Sequence, residues 1–127
     1  MALIAFVAAL ALVEYMIFSG FVGWARGRFK VPAPAVSGSP EFERYFRVQQ
    51  NTLEQLMIFL PSLFLFGQFV SELWAAVLGC GFILGRLLYF IGYVREPSQR
   101  SAGFLIGYLS TVGLLLGGVI GAGLSAW

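Results

Sequence analysis

Histidine and aspartate are absent from this 127-residue sequence, and cysteine occurs only once, at Cys80. The absence of histidine excludes catalysis by an imidazole base and any metal ion held by imidazole. One cysteine cannot form an intrachain disulfide bond or a thiolate metal cluster. We therefore expect no metal site.

Charge is also scarce, since 11% of the residues are charged and 59% are hydrophobic. Ordinary soluble domains carry about 25% charged residues, so this chain has too little polar surface for one. Intrinsic disorder is excluded because it goes with low hydrophobicity and high charge. The net charge is only +2 and no basic run could follow a nucleic-acid backbone. We expect no nucleic-acid partner.

Long apolar segments are what the sequence has instead. A membrane-spanning helix needs about 20 predominantly apolar residues, and four segments reach that length, at 3–24, 40–69, 73–94 and 102–127. They predict an all-α, integral membrane four-helix bundle that forms a single domain over residues 1–127. Ser39 and Pro40 are typical of the cap and the first position of the second helix.

The basic residues predict the orientation in the membrane. Most lie in or beside the first and third connections, at Arg26, Arg28, Lys30, Arg44, Arg95 and Arg100. Connections rich in Lys and Arg stay on the cytoplasmic side, so both termini of this multi-pass protein are expected on the non-cytoplasmic side. A bacterial inner membrane and an endoplasmic-reticulum membrane fit equally well. The basic residues at 26–30 also suit anionic lipid or, as an arginine fork, a carboxylate.

Three polar residues of the second segment fall on one face. Because a helix turns about 100° per residue, Arg47, Asn51 and Glu54 share a sector of about 60°, whereas Gln49 points away from it. A charge at the centre of a membrane helix costs about 2.5–3.5 kcal/mol on insertion scales, so such a face needs a reason. Two interpretations remain open: a salt bridge with hydrogen bonds that locks the bundle, or a polar wall that binds a zwitterionic ligand.

The third segment carries a second polar face, formed by Arg86, Tyr89 and Tyr93. Tyrosines near a membrane surface are also typical of an aromatic belt. Arg100 follows Tyr93 by seven residues and extends this face if the helix continues. Taken alone, it fits an ordinary positively charged flank equally well.

Two further features concern the first and fourth segments. Glu14 is either the partner of a basic residue on a neighbouring helix or the proton-coupling acid of a small multidrug transporter. Gly113, Gly117 and Gly121 recur every four residues, a pattern that lets helices approach closely. The glycines therefore predict tight packing rather than chemistry.

Two stretches together resemble the signatures of a known family. Phe-Glu-Arg at 42–44, followed by Arg-Val-Gln-Gln-Asn-Thr-Leu-Glu at 47–54, is similar to the second-helix signature of the MAPEG family, membrane-associated proteins in eicosanoid and glutathione metabolism. Arg-Leu-Leu-Tyr-Phe-Ile-Gly-Tyr at 86–93 is similar to its third-helix signature. The resemblance covers essentially the whole chain. It is strongest to the branch that holds microsomal glutathione transferase 2, leukotriene C4 synthase and the five-lipoxygenase-activating protein.

The resemblance implies a homotrimer that binds glutathione between neighbouring subunits and uses it on a lipophilic small molecule arriving through membrane lipid. The implied glutathione-binding residues come from two subunits: Arg47, Asn51, Glu54, Tyr89 and Tyr93 of one, Arg26 and Gln49 of the next, with Arg86 and Arg28 in support. Arg100 would be catalytic, because enzymatic members of the family place there the arginine that activates the glutathione thiol.

Two positions depart from that branch. Gly27 stands where leukotriene C4 synthase has an arginine assigned to the lipid epoxide, and Gln55 replaces a tyrosine. Both argue against leukotriene synthesis. The implied function is a detoxifying glutathione transferase that conjugates lipid electrophiles, with a peroxidase that reduces lipid hydroperoxides or a leukotriene C4 synthase-like activity as further possibilities. The alternatives are a non-enzymatic, lipid-presenting scaffold of the same family and a proton-coupled transporter that uses Glu14.

Overall fold

A computed structural model describes all of residues 1–127 as four long α-helices without any strand. The helices are α1 (Ala2–Phe29), α2 (Pro40–Phe69), α3 (Glu72–Arg95) and α4 (Ser101–Ala126), and a short 3₁₀ turn, Pro97–Arg100, leads into α4. All four are long and apolar enough to cross a membrane. The prediction of an all-α chain with four helices of membrane-spanning length is confirmed.

Helix α1 extends to Phe29 rather than to residue 24, so the first connection is shorter than predicted. Lys30, which follows the last helical residue, has a φ of 59°, and the Val31 N–H donates to the Arg26 carbonyl at 3.0 Å. This is the hydrogen bond of a Schellman C-cap. Gly27 does not break the helix, because one interior glycine costs only about 1 kcal/mol. The basic residues after position 25 therefore begin on the last turn of α1.

Serine side chains start the second and third helices. Ser39 Oγ accepts a hydrogen bond from the Phe42 N–H at 3.2 Å, with Pro40 at the first helical position, as the sequence predicts. Ser71 Oγ accepts from the Trp74 N–H at 3.2 Å, which confines the α2–α3 connection to two residues. Such caps satisfy helix-end donors close to lipid, where unpaired backbone groups are costly.

Helix α4 packs against α2 and α3 through its glycines. Gly117 and Gly121 lie against side chains and backbone of α2, whereas Gly113 has only Leu78 Cδ1 as a neighbour, 3.8 Å from where a Cβ would lie. The closest approach is elsewhere: a Cβ at Gly103 would overlap the backbone of Tyr89 on α3. Gly117 and Gly121 therefore have the packing role predicted for the glycine stripe, Gly113 does not, and the tightest contact lies within the first turn of α4.

Polar side chains separate two apolar clusters of the bundle interior. One cluster includes Ala11 of α1, Leu56 of α2 and Phe82 of α3. The other includes Phe18 of α1, Val48 of α2 and Tyr89 of α3. Between these positions lie Glu14 of α1, Thr52 of α2 and Arg86 of α3, which we call the polar layer. Arg86 is only 1% exposed and is the largest fully buried side chain of the chain.

The first and third connections share one end of the bundle. There the Arg44 side chain, near the start of α2, donates to the backbone carbonyls of Val94 and Arg95 at 3.5 and 3.2 Å. At the opposite end, the Met1 amino group forms an ion pair with Glu72 at 3.0 Å. The basic connections therefore face the same way, and their placement on the cytoplasmic side stays a prediction.

Candidate functional site

The polar faces predicted on the second and third segments meet in one cavity. It has a volume of about 300 Å³, and its walls come from α2, from the second half of α3 and from the 3₁₀ turn. Seven residues line it: Arg47, Gln50, Asn51, Glu54, Tyr89, Tyr93 and Arg100. We call this cavity the polar groove. Six of its seven residues are among those predicted for the site.

Arg100 reaches the polar groove by a different route from the one predicted. Helix α3 ends at Arg95 instead of continuing, and Pro97 begins the 3₁₀ turn that carries Arg100. The Arg100 Nη1 donates to the Pro97 carbonyl at 2.7 Å, and the guanidinium carbon lies 5.7 Å from the centre of the Tyr93 ring. The returning turn, rather than an extended helix, places this cation beside the tyrosine.

Arg86 is bonded to the neighbouring helix rather than exposed to the groove. Its Nε and Nη2 donate to Thr52 Oγ1 at 3.3 and 2.9 Å, and Nη2 also donates to Asn51 Oδ1 at 2.8 Å. The guanidinium carbon lies 4.1 Å from the centre of the Tyr89 ring. Arg86 therefore fixes two groove residues, Asn51 and Tyr89, from behind.

Arg47 and Glu54 have no partner within the subunit. Both side chains are exposed, neither makes a hydrogen bond to the protein, and the only ion pair of the chain is that of Met1 with Glu72. The salt-bridge interpretation of this face is therefore wrong for these two residues. The third residue of this face, Asn51, is held within the subunit, because its Oδ1 accepts a hydrogen bond from Arg86.

Three further cavities adjoin the polar groove. One, of about 300 Å³, shares Arg47 and Tyr93 with it and extends toward the start of α2. A second, of about 460 Å³, adds Phe104 and Leu105 of α4 beside Arg100. A third, of about 570 Å³, is an apolar channel between α1 and α2 that reaches Glu54. The cation at Arg100 thus lies between polar and apolar surfaces.

The two residues expected from an adjacent subunit, Arg26 and Gln49, do not line the polar groove, and neither does the supporting residue Arg28. Arg26 Nη1 donates to the carbonyls of Ala35 and Val31 at 2.7 and 3.3 Å, which ties it to the first connection. Gln49 Nε2 donates to Ser19 Oγ of α1 at 3.0 Å. Arg28 is exposed at the end of α1. Within one subunit, all three therefore lie apart from the site.

Glu14 makes no ion pair and no hydrogen bond in this structure. Its Oε1 is buried without a partner. A direct salt bridge to a basic residue on another helix, one of the two interpretations of this residue, is therefore absent.

Sequence reasoning passed over Thr52. This residue is 1% exposed and accepts two of the three Arg86 hydrogen bonds. The signal was present, because Thr52 continues the buried spacing of Val48 and Leu56 at four-residue intervals. A polar residue within such an apolar row predicts a buried hydrogen-bond partner on another helix.

Comparison with known proteins agrees with the two helix signatures. The family model of the MAPEG family matches residues 4–120. An uncharacterized protein of Synechocystis sp. is 43% identical over 116 residues, which are 91% of this chain and 85% of that protein. Microsomal glutathione S-transferase 2 of Homo sapiens is 43% identical over 115 residues (89% and 78%), and leukotriene C4 synthase of Bos taurus is 42% identical over 101 residues (80% and 67%). The chain belongs to the MAPEG family.

Proposed function

We propose that this chain is a membrane-bound glutathione transferase, which activates glutathione as a thiolate and delivers it to lipophilic electrophiles or lipid hydroperoxides. The observation that carries the proposal is the polar groove. It brings Arg47, Glu54 and Arg100 to one cavity and leaves the first two unpaired. Relatives named as a glutathione S-transferase and as leukotriene C4 synthase support the same chemistry.

The unpaired groups of the groove complement glutathione. The tripeptide carries two carboxylates, one ammonium and one thiol. Arg47 suits a carboxylate, because an arginine presents a fork of donors that matches it, and Glu54 suits the ammonium. Tyr93 and the amide of Asn51 supply further hydrogen bonds. An anion and a cation that are seven residues apart on one helix face, and that do not pair with each other, favour a zwitterionic ligand.

Arg100 is the proposed catalytic residue. The reactive form of glutathione is the thiolate, which is only a few per cent of a free thiol at neutral pH. A cation beside the sulfur stabilises the thiolate, and arginine stays charged without exchanging a proton. The thiolate then attacks the electrophilic carbon and the bond to the leaving group breaks. With a hydroperoxide, two glutathione molecules supply the electrons and give an alcohol, water and glutathione disulfide.

The apolar cosubstrate would reach Arg100 from the cavity that contains Phe104 and Leu105. Both residues belong to the first turns of α4 and border the same arginine as the polar groove. Gly27 and Gln55 stand where the leukotriene C4 synthase signature carries an arginine and a tyrosine, so other lipophilic electrophiles are favoured over a leukotriene epoxide.

A homotrimer completes the proposed site. Arg47, Glu54 and Arg100 are exposed on one subunit, and charges left facing lipid are costly. A neighbouring subunit would cover them and would bring Arg26 and Gln49, which lie apart from the groove of their own chain. The three-subunit arrangement comes from the family resemblance.

The test is a joint measurement on one purified sample in detergent. We expect glutathione binding in a titration calorimeter, thiolate absorbance in the ultraviolet, and turnover with an aryl halide or an organic hydroperoxide. The variant Arg47→Ala/Glu54→Gln should lose glutathione binding, whereas Arg95→Ala, an exposed arginine outside the groove, should keep it. Binding of lipid with no turnover would favour the scaffold alternative, and absence of glutathione binding would exclude the transferase.

A further inference from the structure

The polar layer places a charged guanidinium at the centre of the bundle without a direct counter-ion. Arg86 is 1% exposed, and its hydrogen bonds go only to the neutral side chains of Thr52 and Asn51. A buried cation is stable when an anion compensates it. The groove residues that contact Arg86 therefore do not include an anion that could compensate its charge.

The hydrogen-bond inventory of Arg86 leaves one nitrogen free. Nε and Nη2 are used, while Nη1 makes no hydrogen bond to the protein. Across the same layer, Oε1 of Glu14 is buried and also has no partner. One unused donor and one unused acceptor, of opposite charge, thus occupy one level of the bundle.

Glu14 is the acid that can compensate Arg86. It projects from α1 between Ala11 and Phe18, which belong to the clusters on either side of the polar layer, so it lies at the same level of the bundle as Arg86. The other acids are placed differently. Glu54 is exposed in the polar groove, and the rest lie near helix ends, at Glu41, Glu43, Glu72 and Glu96.

We propose that Glu14 is the counter-charge of Arg86 and, through it, a positioning residue for the polar groove. Glu14 holds the guanidinium in the plane where it donates to Asn51 and lies under the Tyr89 ring. The proposal rests on the proposed function, since the groove residues that Arg86 fixes are those assigned to glutathione.

This arrangement couples α1 to a site that α1 does not touch directly. Asn51 and Tyr89 both line the polar groove, and both contact Arg86 on their far side. Loss of the Glu14 charge leaves the guanidinium to reorient toward any other acceptor. We therefore expect an effect on glutathione affinity rather than on thiolate activation, because Arg100 lies on the separate 3₁₀ turn.

The decisive variant is Glu14→Gln, which keeps the shape of the side chain and removes its charge. We expect the dissociation constant and the KM for glutathione to rise roughly tenfold, as for the loss of one charge-assisted hydrogen bond. At saturating glutathione, kcat and the thiolate absorbance should stay at the wild-type level. Glu72→Gln, at the opposite end of α3 from the groove, is the matched control and should leave the KM for glutathione unchanged.

A double-mutant cycle shows whether Glu14 acts through Arg86. In the Arg86→Met background, Glu14→Gln should change glutathione affinity no further. Full additivity would contradict the pairing. If Glu14→Gln does not yield folded protein, the double variant Glu14→Gln/Arg86→Met decides the matter, because it removes both charges. If the double variant is recovered as a folded protein, the pairing of Glu14 with Arg86 is supported. If the double variant folds no better than Glu14→Gln alone, the pairing is wrong.

The outcomes separate this inference from the proposed function. If the wild-type protein does not bind glutathione, the transferase proposal fails, and the cycle is then measured on thermal unfolding, where Glu14 and Arg86 should still be coupled. If the wild type binds glutathione and Glu14→Gln binds it equally well, the transferase stands and the positioning role of Glu14 is wrong.

Discussion

Arg47 and Arg86 both belong to membrane-spanning helices, but their surroundings differ. Arg47 is exposed and has no partner in the subunit. Arg86 is enclosed and makes three hydrogen bonds to α2. The Arg47 side chain is available to a ligand, whereas the Arg86 side chain is part of the bundle interior. The two arginines should therefore respond to substitution in different ways.

We predict that Arg47→Ala affects binding and Arg86→Ala affects stability. Arg47→Ala should weaken glutathione binding by about 1.5–3 kcal/mol, the usual contribution of a hydrogen bond to a charged group, and should change the unfolding free energy by less than about 0.5 kcal/mol. Arg86→Ala should cost about 2–5 kcal/mol of stability, as for other emptied core sites. Titration calorimetry and thermal unfolding in detergent measure the two effects. Equal losses of stability would contradict the distinction.

Arg100→Ala should abolish thiolate formation while leaving much of the glutathione affinity. The reason is that the guanidinium borders the groove from the 3₁₀ turn, next to Tyr93, whereas Arg47, which we propose binds a carboxylate of glutathione, lies on α2. Thiolate absorbance in the ultraviolet at saturating glutathione measures the effect. Arg95→Ala serves as the control, because that side chain lies on the same end of the bundle outside the groove. An unchanged thiolate signal in Arg100→Ala would remove Arg100 from this role.

At this scale, helix periodicity predicted which polar residues share a face. It placed Arg47, Asn51 and Glu54 on one wall and Tyr89 and Tyr93 on the facing one, and these residues do line one cavity. Periodicity could not say which member of a face turns inward. Whether a side chain is enclosed depends on the opposing helix, and for Arg86 the deciding neighbour is Thr52.

At the scale of the helices, α4 determines how closely its neighbours can pack around the polar groove. Its glycine at 103 leaves no room for a methyl group against the α3 backbone at Tyr89. Close helix contact of this kind depends on small residues, since packing rather than hydrophobicity drives helix association in lipid. The position of Tyr89 in the groove is therefore linked to the identity of a residue on another helix.

Gly103→Ala should destabilise the protein by about 1–3 kcal/mol, the usual range for overpacking, and should weaken glutathione binding by displacing Tyr89. Gly113→Ala on the same helix is the matched control. A methyl group there meets only Leu78 Cδ1, at 3.8 Å, so the better helix propensity of alanine should leave stability unchanged or raise it by up to about 1 kcal/mol. Thermal unfolding of both variants tests the difference, and similar melting temperatures would contradict it.

Helix starts were easier to predict than helix ends. Ser39 and Pro40 form a local signal that needs no tertiary information, and α2 begins where they predict. The end of α1 was placed too early, because Gly27 and the basic residues resemble a loop although the Schellman cap forms only at Lys30. The sequence also does not predict whether α3 ends before Pro97 or continues through it, because a proline can either end a helix or kink it.

For the whole molecule, the exposed charges of the groove and the outlying positions of Arg26 and Gln49 point to a site shared by neighbouring subunits. Sequence and structure of one chain do not set the number of subunits. No residue pattern distinguishes three copies from two or four, so the trimer stays part of the proposal.

Subunit complementation tests the shared site. Arg47→Ala and Gln49→Ala proteins should each have low activity alone. When they are coexpressed, mixed oligomers should regain activity, because one boundary then joins an intact Arg47 face to an intact Gln49 face. Glutathione turnover of the copurified mixture gives the measurement, with native mass spectrometry to count subunits. If coexpression gives no more than the average of the separate variants, each site is built within one subunit.

Membrane orientation can be tested by thiol labelling. In a Cys80→Ser background, Ser37→Cys lies in the first connection and Ser125→Cys near the end of α4. The excess of basic residues at one end of the bundle predicts a cytoplasmic first connection. In intact cells, an impermeant maleimide should therefore label the cysteine at 125 and not the one at 37 until the membrane is opened. The reverse pattern would overturn the predicted orientation.

The hydrogen bonds of Arg86 also bear on how the chain enters the membrane. Synthesis runs from the N-terminus, so α2 is made before α3 emerges. The acceptors of Arg86, Thr52 and Asn51, both lie on α2, and only two residues separate the two helices. An arginine that would be costly alone in lipid thus meets its acceptors in the preceding helix, and α2 and α3 are suited to insert together as a hairpin.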